Sequence, residues 1–179
     1  MGGLLSKLLD KLFSKNLDVV LVGLNNSGKT TFCETMKLGV NPKIQPAPTI
    51  GLNINSFSEG GVKFKVWDIG GTQQFRKEWP RYTRDADIIA FVVDIADHYK
   101  WPICRKELHV LLEDKELKGK PLLILANKID LEPNITEETL IKELNLDYIT
   151  DNDWIIIPIS AKYGNNVDEA IKYLSKYCH

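Results

Sequence analysis

Gly23-Leu24-Asn25-Asn26-Ser27-Gly28-Lys29-Thr30 decides the fold of this chain of 179 residues. The stretch fits the pattern G-x-x-x-x-G-K-[ST], in which two glycines let the backbone curl around a phosphate. The apolar run 19–22 before it predicts a buried strand, and residues 31–38 after it predict a helix. Backbone N–H groups and the positive end of the helix dipole would face the phosphates. An ordinary turn is the alternative, but this context favours a nucleoside triphosphate site.

Two residues of this loop have direct roles toward a nucleotide. Lys29 would reach the β- and γ-phosphates, and the hydroxyl of Thr30 would hold Mg²⁺. The loop alone does not indicate which base is bound. The residues predicted to cradle the phosphates are Asn25, Asn26, Ser27, Gly28, Lys29, Thr30 and Thr31.

The base is indicated by Asn127-Lys128-Ile129-Asp130, which follows the apolar run 121–126. A carboxylate there can accept two hydrogen bonds from guanine, whereas adenine has no matching donor pair. A buried Asp130 would stay unpaired against ATP, which is costly, so the motif predicts guanine. We expect Asn127 to bind the base and brace the loop, and the Lys128 stem to lie along the purine face. Ser160-Ala161-Lys162 follows another strand, and its backbone could touch the guanine O6 or simply begin a helix.

A further segment, Trp67-Asp68-Ile69-Gly70-Gly71, ends the strand that begins near Val62. Asp68 can hold a Mg²⁺-bound water, and the amide of Gly71 can meet a γ-phosphate. The two glycines could instead form a flexible turn. That alternative does not explain why all four segments follow strands.

Strands and helices alternate along the chain, which favours a mostly parallel sheet with helices on both faces. The runs 88–94 and 121–127 are continuously apolar, as in strands that are buried on both sides. Glu59-Gly60-Gly61 separates two strands that should form an antiparallel hairpin. The predicted strands are 17–23, 52–58, 62–69, 88–94, 121–127 and 154–159, and the predicted helices are 29–38, 101–115, 136–144 and 166–177.

With these motifs in order, the chain resembles the small GTPases, and more narrowly the Arf/Arl (ADP-ribosylation-factor-like) branch. The resemblance covers essentially the whole chain. It rests on Trp67-Asp68-Ile69-Gly70-Gly71 followed by Phe75-Arg76 and Trp79, and on Pro48-Thr49-Ile50-Gly51. It implies the α/β P-loop GTPase fold with a mixed six-stranded sheet, binding of GTP or GDP with Mg²⁺, and hydrolysis of GTP.

The resemblance also implies segments that move with the nucleotide. Thr49 would be the switch I threonine that joins the Mg²⁺ shell only with GTP, and residues 70–82 would form switch II. The hairpin through Gly60-Gly61 would slide on GTP binding and displace the N-terminal helix. Exchange factors, activating proteins and effectors are the implied partners. The implied effector-facing residues are Leu52, Trp67, Trp79 and Tyr82, with Leu52 standing where the family has phenylalanine.

Thr72 departs from the family pattern, in which a glutamine directly after the two glycines orients the attacking water. The spacing to Phe75-Arg76 is unshifted, so Thr72 occupies the glutamine position, and threonine is too short to reach that water. Even with the glutamine, related GTPases turn over at only ~10⁻⁴ s⁻¹ without an arginine from a partner. Either hydrolysis is slower still, or Gln73 substitutes through a local loop shift. The catalytic candidates are Gly71, Thr72 and Gln73.

The composition excludes several other classes of protein. A hydrophobic content of 44% and a charged content of 26% are ordinary for one globular domain. A net charge of −1 argues against general nucleic-acid binding. Cys33, Cys104 and Cys178 are scattered, which fits a reducing compartment without a zinc site. No apolar run reaches transmembrane length, and no secretory signal is present.

Residues 2–15 precede the first strand and have an amphipathic pattern. Apolar side chains recur at helical spacing, while Lys7, Lys11 and Lys15 lie on the other side. Such a helix can lie in a membrane interface or pack permanently on the domain, and the resemblance favours reversible membrane use. Residues 1–6 also fit M-G-x-x-x-[ST], the myristoylation pattern. The predicted membrane residues are Gly2, Leu4, Leu5, Leu8, Leu9, Leu12 and Phe13.

The sequence thus predicts an N-terminal amphipathic, membrane-interacting helix over 1–16 and a GTPase domain over 17–179. The leading hypothesis is a GTP/GDP-cycling switch that couples nucleotide state to membrane association and effector binding in membrane trafficking. Such a protein would be cytoplasmic and reversibly bound to membrane surfaces. An alternative is a guanine-nucleotide-dependent adaptor that hardly hydrolyses, which Thr72 favours. A nucleoside kinase or ATPase is disfavoured by the two guanine motifs.

Overall fold

A computed structural model describes residues 15–43 and 46–179. Within these residues, six strands form one sheet in the order β2-β3-β1-β4-β5-β6. Strand β2 is antiparallel to β3, and every other neighbouring pair is parallel, which confirms the predicted mixed sheet. The strands are β1 Lys15–Val22, β2 Leu52–Glu59, β3 Val62–Ile69, β4 Ile88–Asp94, β5 Leu122–Asn127 and β6 Trp154–Ile159.

The helices of the described ranges follow the predicted pattern, with two additions in switch II. They are α1 Lys29–Leu38, α2 Gln73–Arg76, α3 Trp79–Thr83, α4 Trp101–Leu112, α5 Glu137–Leu144 and α6 Val167–Leu174. Helix α4 ends three residues earlier than predicted, because Asp114 caps a separate 3₁₀ turn by accepting the N–H of Glu116 at 3.1 Å. The short helices α2 and α3 carry no periodic apolar signal in the sequence. Neither α1–α6 nor the short 3₁₀ turns of the described ranges are long and apolar enough to cross a lipid bilayer.

Helices cover both faces of the sheet. Alternate side chains of the central strand β1 enter two separate cores, with Val20 and Val22 on one side and Val19 and Leu21 on the other. Helices α4 and α5 pack on the first side, and α1 and α6 pack on the second. Every residue of β4 and β5 is buried, as the continuous apolar runs predict.

Strand β1 begins at Lys15, two residues before the predicted start. Lys15 pairs with Val62 of β3, and Asn16 exchanges two backbone hydrogen bonds with His179, at 2.7 and 3.1 Å. The predicted strand start at residue 17 is therefore two residues late, because long-range pairing makes Lys15 and Asn16 part of the sheet. The rest of the predicted amphipathic helix, with its membrane residues, lies outside the described residues.

The parallel arrangement brings the motif residues to one edge. Strands β1, β3, β4, β5 and β6 all end on this side, and their following loops carry the phosphate, switch and base motifs. The hairpin of β2 and β3 turns at Gly60 and Gly61, whose φ angles of 56° and 79° are positive. Open α/β sheets bind ligands at this edge.

Candidate nucleotide site

The loop between β1 and α1 is held in a curled conformation by Lys29. This side chain is buried, and its ammonium donates to the carbonyls of Gly23 and Leu24, at 3.0 and 2.9 Å. Burial lowers the pKa of Lys29 to about 8, although the nearby carboxylate of Asp68 opposes the shift. A phosphate beside the ammonium would raise this pKa again, because an anion favours the charged form.

Two adjoining cavities lie along this loop and form one cleft. Asn26, Gly28, Thr31 and Pro46 line both of them, and sequence analysis missed Pro46, because a proline in a loop carries no specific signal. The first cavity is completed by residues that include Asn25, Lys29, Thr30, Thr49, Gly71 and Thr72. The second is completed by residues that include Asn127, Lys128, Asp130, Ala161 and Lys162. The predicted phosphate and base residues are thus brought together.

Asn127 joins three loops of the cleft. Its side chain is 2% exposed, donates to the carbonyl of Ser27 at 2.7 Å and accepts the N–H of Ala161 at 2.9 Å. Gly28 lies directly against it with a φ of 94°, and a Cβ on that glycine would lie 2.1 Å from the Asn127 amide nitrogen. Only glycine fits at position 28. The hydrogen bonds of Asn127 show that it braces the phosphate loop, as predicted. Ser27 itself lines neither cavity, and its buried hydroxyl has no hydrogen-bond partner among the described residues.

Lys128 is held by a residue that sequence analysis missed. Its ammonium lies 2.6 Å from Oδ2 of Asp94, and the two side chains are 22% and 11% exposed. Asp94 is the last residue of β4 and is the register partner of Asn127 in β5. The sequence does contain a signal for this residue, because Asp94 is a carboxylate at the end of an otherwise apolar strand. This ion pair restricts the stem of Lys128, which lines the base cavity.

Asp130 is oriented by the second guanine motif. The hydroxyl of buried Ser160 donates to Oδ1 of Asp130 at 2.6 Å. Asp130 itself is exposed in this structure, so the burial on which discrimination against adenine depends has to come from the bound base. Ser160 lines neither cavity and acts on the site through Asp130.

Three oxygen-bearing side chains meet beside the first cavity. Thr30 Oγ1 lies 2.6 Å from Oδ2 of Asp68 and 2.7 Å from the hydroxyl of Thr49. Asp68 is fully buried, and its Oδ1 has no hydrogen-bond partner among the described residues. Burial raises the pKa of Asp68, with the Thr30 hydroxyl and the Lys29 ammonium opposing the shift. Hydroxyl and carboxylate oxygens suit Mg²⁺, and an unpaired buried carboxylate oxygen fits a cation site.

Gly71 rests directly on the phosphate loop. Its carbonyl accepts the N–H of Asn25 at 3.1 Å. A Cβ on Gly71 would lie 2.3–2.4 Å from backbone atoms of Leu24, Asn25 and Gly23, so no larger residue permits this approach. Thr72 follows and lines the first cavity, whereas Gln73 is exposed and lines neither cavity. The structure therefore does not place Gln73 where a substitute for the missing glutamine would stand.

Three of the four predicted effector-facing residues are half-buried. The rings of Trp67 and Tyr82 are 5.9 Å apart, and Leu52 is likewise partly exposed. The prediction for Trp79 is wrong, because its indole is 1% exposed and packs edge-on against Phe91 in the core. Its N–H donates to the carbonyl of Gly70 at 3.3 Å. Trp79 therefore packs in the core beneath residues 70–82, and its buried ring offers no surface to a partner.

Comparison with known proteins agrees with this geometry. Residues 5–178 match the model of the ADP-ribosylation factor (Arf) family. The chain belongs to the Arf family. Its P-loop, its guanine motifs and its mixed sheet are those of a small GTPase, so the predicted family, fold and enzyme class, a hydrolase of GTP, are confirmed.

Individual relatives extend the similarity over nearly the whole chain. ADP-ribosylation factor-like protein 8c of Arabidopsis thaliana is 38% identical over 174 residues, which cover 97% of this chain and 94% of the relative. ADP-ribosylation factor-like protein 8b of the same plant is 37% identical over 174 residues, with the same coverage. The Arl6 (BBS3) small GTPase of Trypanosoma brucei, solved with the bound nucleotide analogue GppNp, superposes with a TM-score of 0.80 at 32% identity, covering 90% of this chain and 96% of that one. An Arf-family GTPase binds guanine nucleotide.

Proposed function

We propose that this Arf-family GTPase is a GTP/GDP-cycling switch that couples its nucleotide state to membrane association and effector binding in membrane trafficking. The observation that carries the proposal is the meeting of Thr49, Thr30 and Asp68 beside Gly71 on the phosphate loop. Segments far apart in sequence converge where a γ-phosphate would lie. A site of this kind can distinguish GTP from GDP, because only GTP offers that phosphate.

A Mg²⁺ ion belongs to this proposal. Thr30, Thr49 and Asp68 would hold it, and a bound ion would neutralise charge on the phosphate oxygens. The residues fit the ion because they are hard oxygen ligands that include the unpaired Oδ1 of Asp68. Lys29 would place a second positive charge on the same phosphates, with its ammonium already held by the loop carbonyls. Asn127, Lys128 and Asp130 would bind guanine at the other end of the cleft.

The coupling to membranes rests on where the N-terminal segment joins the sheet. The apolar side chains of residues 2–13 would enter the membrane interface, and β1 begins immediately afterwards at Lys15. Lys15 pairs with Val62, the first residue of β3 after the hairpin turn. A sliding movement of the hairpin would therefore act directly at the base of that segment. Leu52, Trp67 and Tyr82 on the same two strands and switch II would contact effectors.

The alternative of an adaptor with little intrinsic hydrolysis is favoured by one observation. Thr72 lines the phosphate cavity where the family has glutamine, whereas Gln73 does not line that cavity. Chemistry would then depend on a group supplied by an activating protein. The switch and the adaptor share the same GTP-bound state, and they differ only in whether the protein itself hydrolyses GTP to leave that state.

Two measurements on the full chain test the proposal. Co-sedimentation with liposomes of neutral lipids should be strong with the non-hydrolysable GTP analogue GppNHp and weak with GDP, and Leu8→Asp should abolish it while Lys7→Gln changes it little. Equal sedimentation in the two nucleotide states would overturn the coupling. Single-turnover hydrolysis of GTP, with and without liposomes, separates the switch from the adaptor. Measurable turnover supports a self-timing switch, whereas tight binding without turnover supports the adaptor.

A further inference from the structure

Arg76 connects switch II, residues 70–82, to helix α4. Its Nε donates to the carbonyl of Gly71 at 3.1 Å, and its Nη1 lies 3.2 Å from Oε1 of Glu107. The two charged side chains are 15% and 22% exposed. Water therefore screens this ion pair less than it screens a fully exposed pair. Glu107 lines neither cavity of the nucleotide cleft, and its ion pair with Arg76 connects it to the site.

The peptide groups on both sides of Gly71 are anchored through their carbonyls. The Gly71 carbonyl accepts hydrogen bonds from Arg76 Nε and from the Asn25 N–H, each at 3.1 Å. The Gly70 carbonyl accepts the indole N–H of Trp79 at 3.3 Å. The N–H and C=O of a trans peptide point in opposite directions, so Trp79 fixes the direction of the Gly71 N–H, whereas Arg76 and Asn25 hold the other side of Gly71 and thereby its position on the phosphate loop. That N–H is the group expected to meet a γ-phosphate.

The shape of the guanidinium makes Glu107 necessary for this arrangement. Nε and Nη1 are parts of one rigid plane, so a carboxylate bound to Nη1 also fixes the direction of the Nε–H bond. Without Glu107, the Arg76 side chain could rotate toward solvent, and Gly71 would keep only its bond to Asn25. A lysine could not serve both partners in the same way, because its ammonium is a single point charge.

We propose that Glu107 is a positioning residue that acts through Arg76 to hold Gly71 on the phosphate loop, and that it thereby strengthens binding of GTP relative to GDP. GDP has no γ-phosphate and does not depend on the Gly71 amide. The pair therefore sets the nucleotide preference of the switch from outside the cleft. This inference rests on the nucleotide cycle proposed above.

The test compares two nucleotides on one variant. Glu107→Gln keeps the length of the side chain and a carbonyl acceptor but removes the charge. Release of fluorescent mant-GppNHp from the full chain should become about threefold to tenfold faster, as expected when a mostly shielded ion pair loses its charge, while release of mant-GDP stays unchanged. Equal acceleration for both nucleotides, or no change for either, would overturn the inference.

Two further variants separate positioning from a general effect on the fold. Arg76→Lys should reproduce the selective loss, and Glu107→Gln added to it should change nothing more, since the two residues act as one unit. Additive effects would overturn the relay. The control is Glu116→Gln, which removes an ion pair with Arg84 at 3.2 Å between residues that line neither cavity, and it should leave both rates unchanged. Failure of the wild-type chain to bind either nucleotide would instead overturn the proposed function, and this inference with it.

Discussion

Replacement of Asp94 by asparagine should weaken GDP and GTP binding by the same factor. Oδ2 of Asp94 lies 2.6 Å from the Lys128 ammonium, and its Oδ1 accepts the N–H of Ala96 at 3.1 Å. Asparagine keeps the shape and the bond to Ala96. It puts an amide NH₂, a donor, where the acceptor for Lys128 stood. The substitution therefore removes one interaction and leaves its surroundings in place.

The exposure of the pair sets the size of the effect. Exposed ion pairs contribute ~0–1 kcal/mol, whereas removal of one partner of a buried pair costs ~3–5 kcal/mol. Side-chain exposures of 22% for Lys128 and 11% for Asp94 place this pair between those limits. A loss of ~1–2 kcal/mol follows, part of which appears as lost stability of the fold because the pair exists without nucleotide. We expect nucleotide release to become about fivefold faster, the lower end of that range.

Displacement of mant-GDP and mant-GppNHp in the presence of Mg²⁺ measures both release rates. The base is the same in the two nucleotides, so both rates should rise together. Lys128→Met keeps the apolar stem but removes the ammonium, and Asp94→Asn should have no further effect in that background. An equal effect of Asp94→Asn in the methionine background, or an effect confined to one nucleotide, would refute the role assigned to this ion pair.

Three further outcomes follow from the site. Thr72→Gln should raise single-turnover GTP hydrolysis several-fold, and Gln73→Ala should leave it unchanged; a drop with Gln73→Ala in a phosphate-release assay would contradict its exposed placement. Burial raises the pKa of Asp68, so its ionised form opposes folding at neutral pH, and this penalty disappears as the pH falls below the ordinary aspartate pKa of ~3.9. Asp68→Asn should therefore raise the melting temperature of the nucleotide-free protein at pH 7.5 but not at pH values near that pKa, and a gain independent of pH would exclude this cause. Trp79→Ala should cost ~3–5 kcal/mol in denaturant unfolding, and Tyr82→Ala much less; equal costs would contradict the burial of Trp79.

The fold could be predicted because the apolar runs are strong local signals. The runs 88–94 and 121–127 became strands buried on both faces, as their continuous hydrophobicity requires. The errors in the predicted fold lie at the ends of strands and helices, where contacts with residues distant in sequence set the boundary. The start of β1 depends on the pairing of Asn16 with His179, and no local pattern contains that contact.

The site could be predicted where a motif states a role and not where packing decides it. Asn127 braces the phosphate loop, and Thr49 lies 2.7 Å from Thr30, although its predicted role toward Mg²⁺ stays a prediction. The position of Trp79 in the sequence could not show which side of switch II its indole would take. The partners Arg76 and Glu107 are 31 residues apart and lie in different elements, so only the fold brings them together.

The two ion pairs that sequence analysis missed, Lys128 with Asp94 and Arg76 with Glu107, are both connected to helix α4. Helix α4 carries Glu107, and its first residue, Trp101, donates its indole N–H to the backbone carbonyl of Asp94 at 3.2 Å. In the proposed nucleotide cycle, the pair with Lys128 would act on the base, which GDP and GTP share, whereas the pair with Arg76 would act through Gly71 on the γ-phosphate, which only GTP has. Asp94→Asn should therefore change the affinity for both nucleotides, whereas Glu107→Gln should change the preference for GTP over GDP. If Asp94→Asn and Glu107→Gln produced the same pattern with both nucleotides, α4 would be moving the whole cleft as a unit, and the separate roles assigned to the two ends would be wrong.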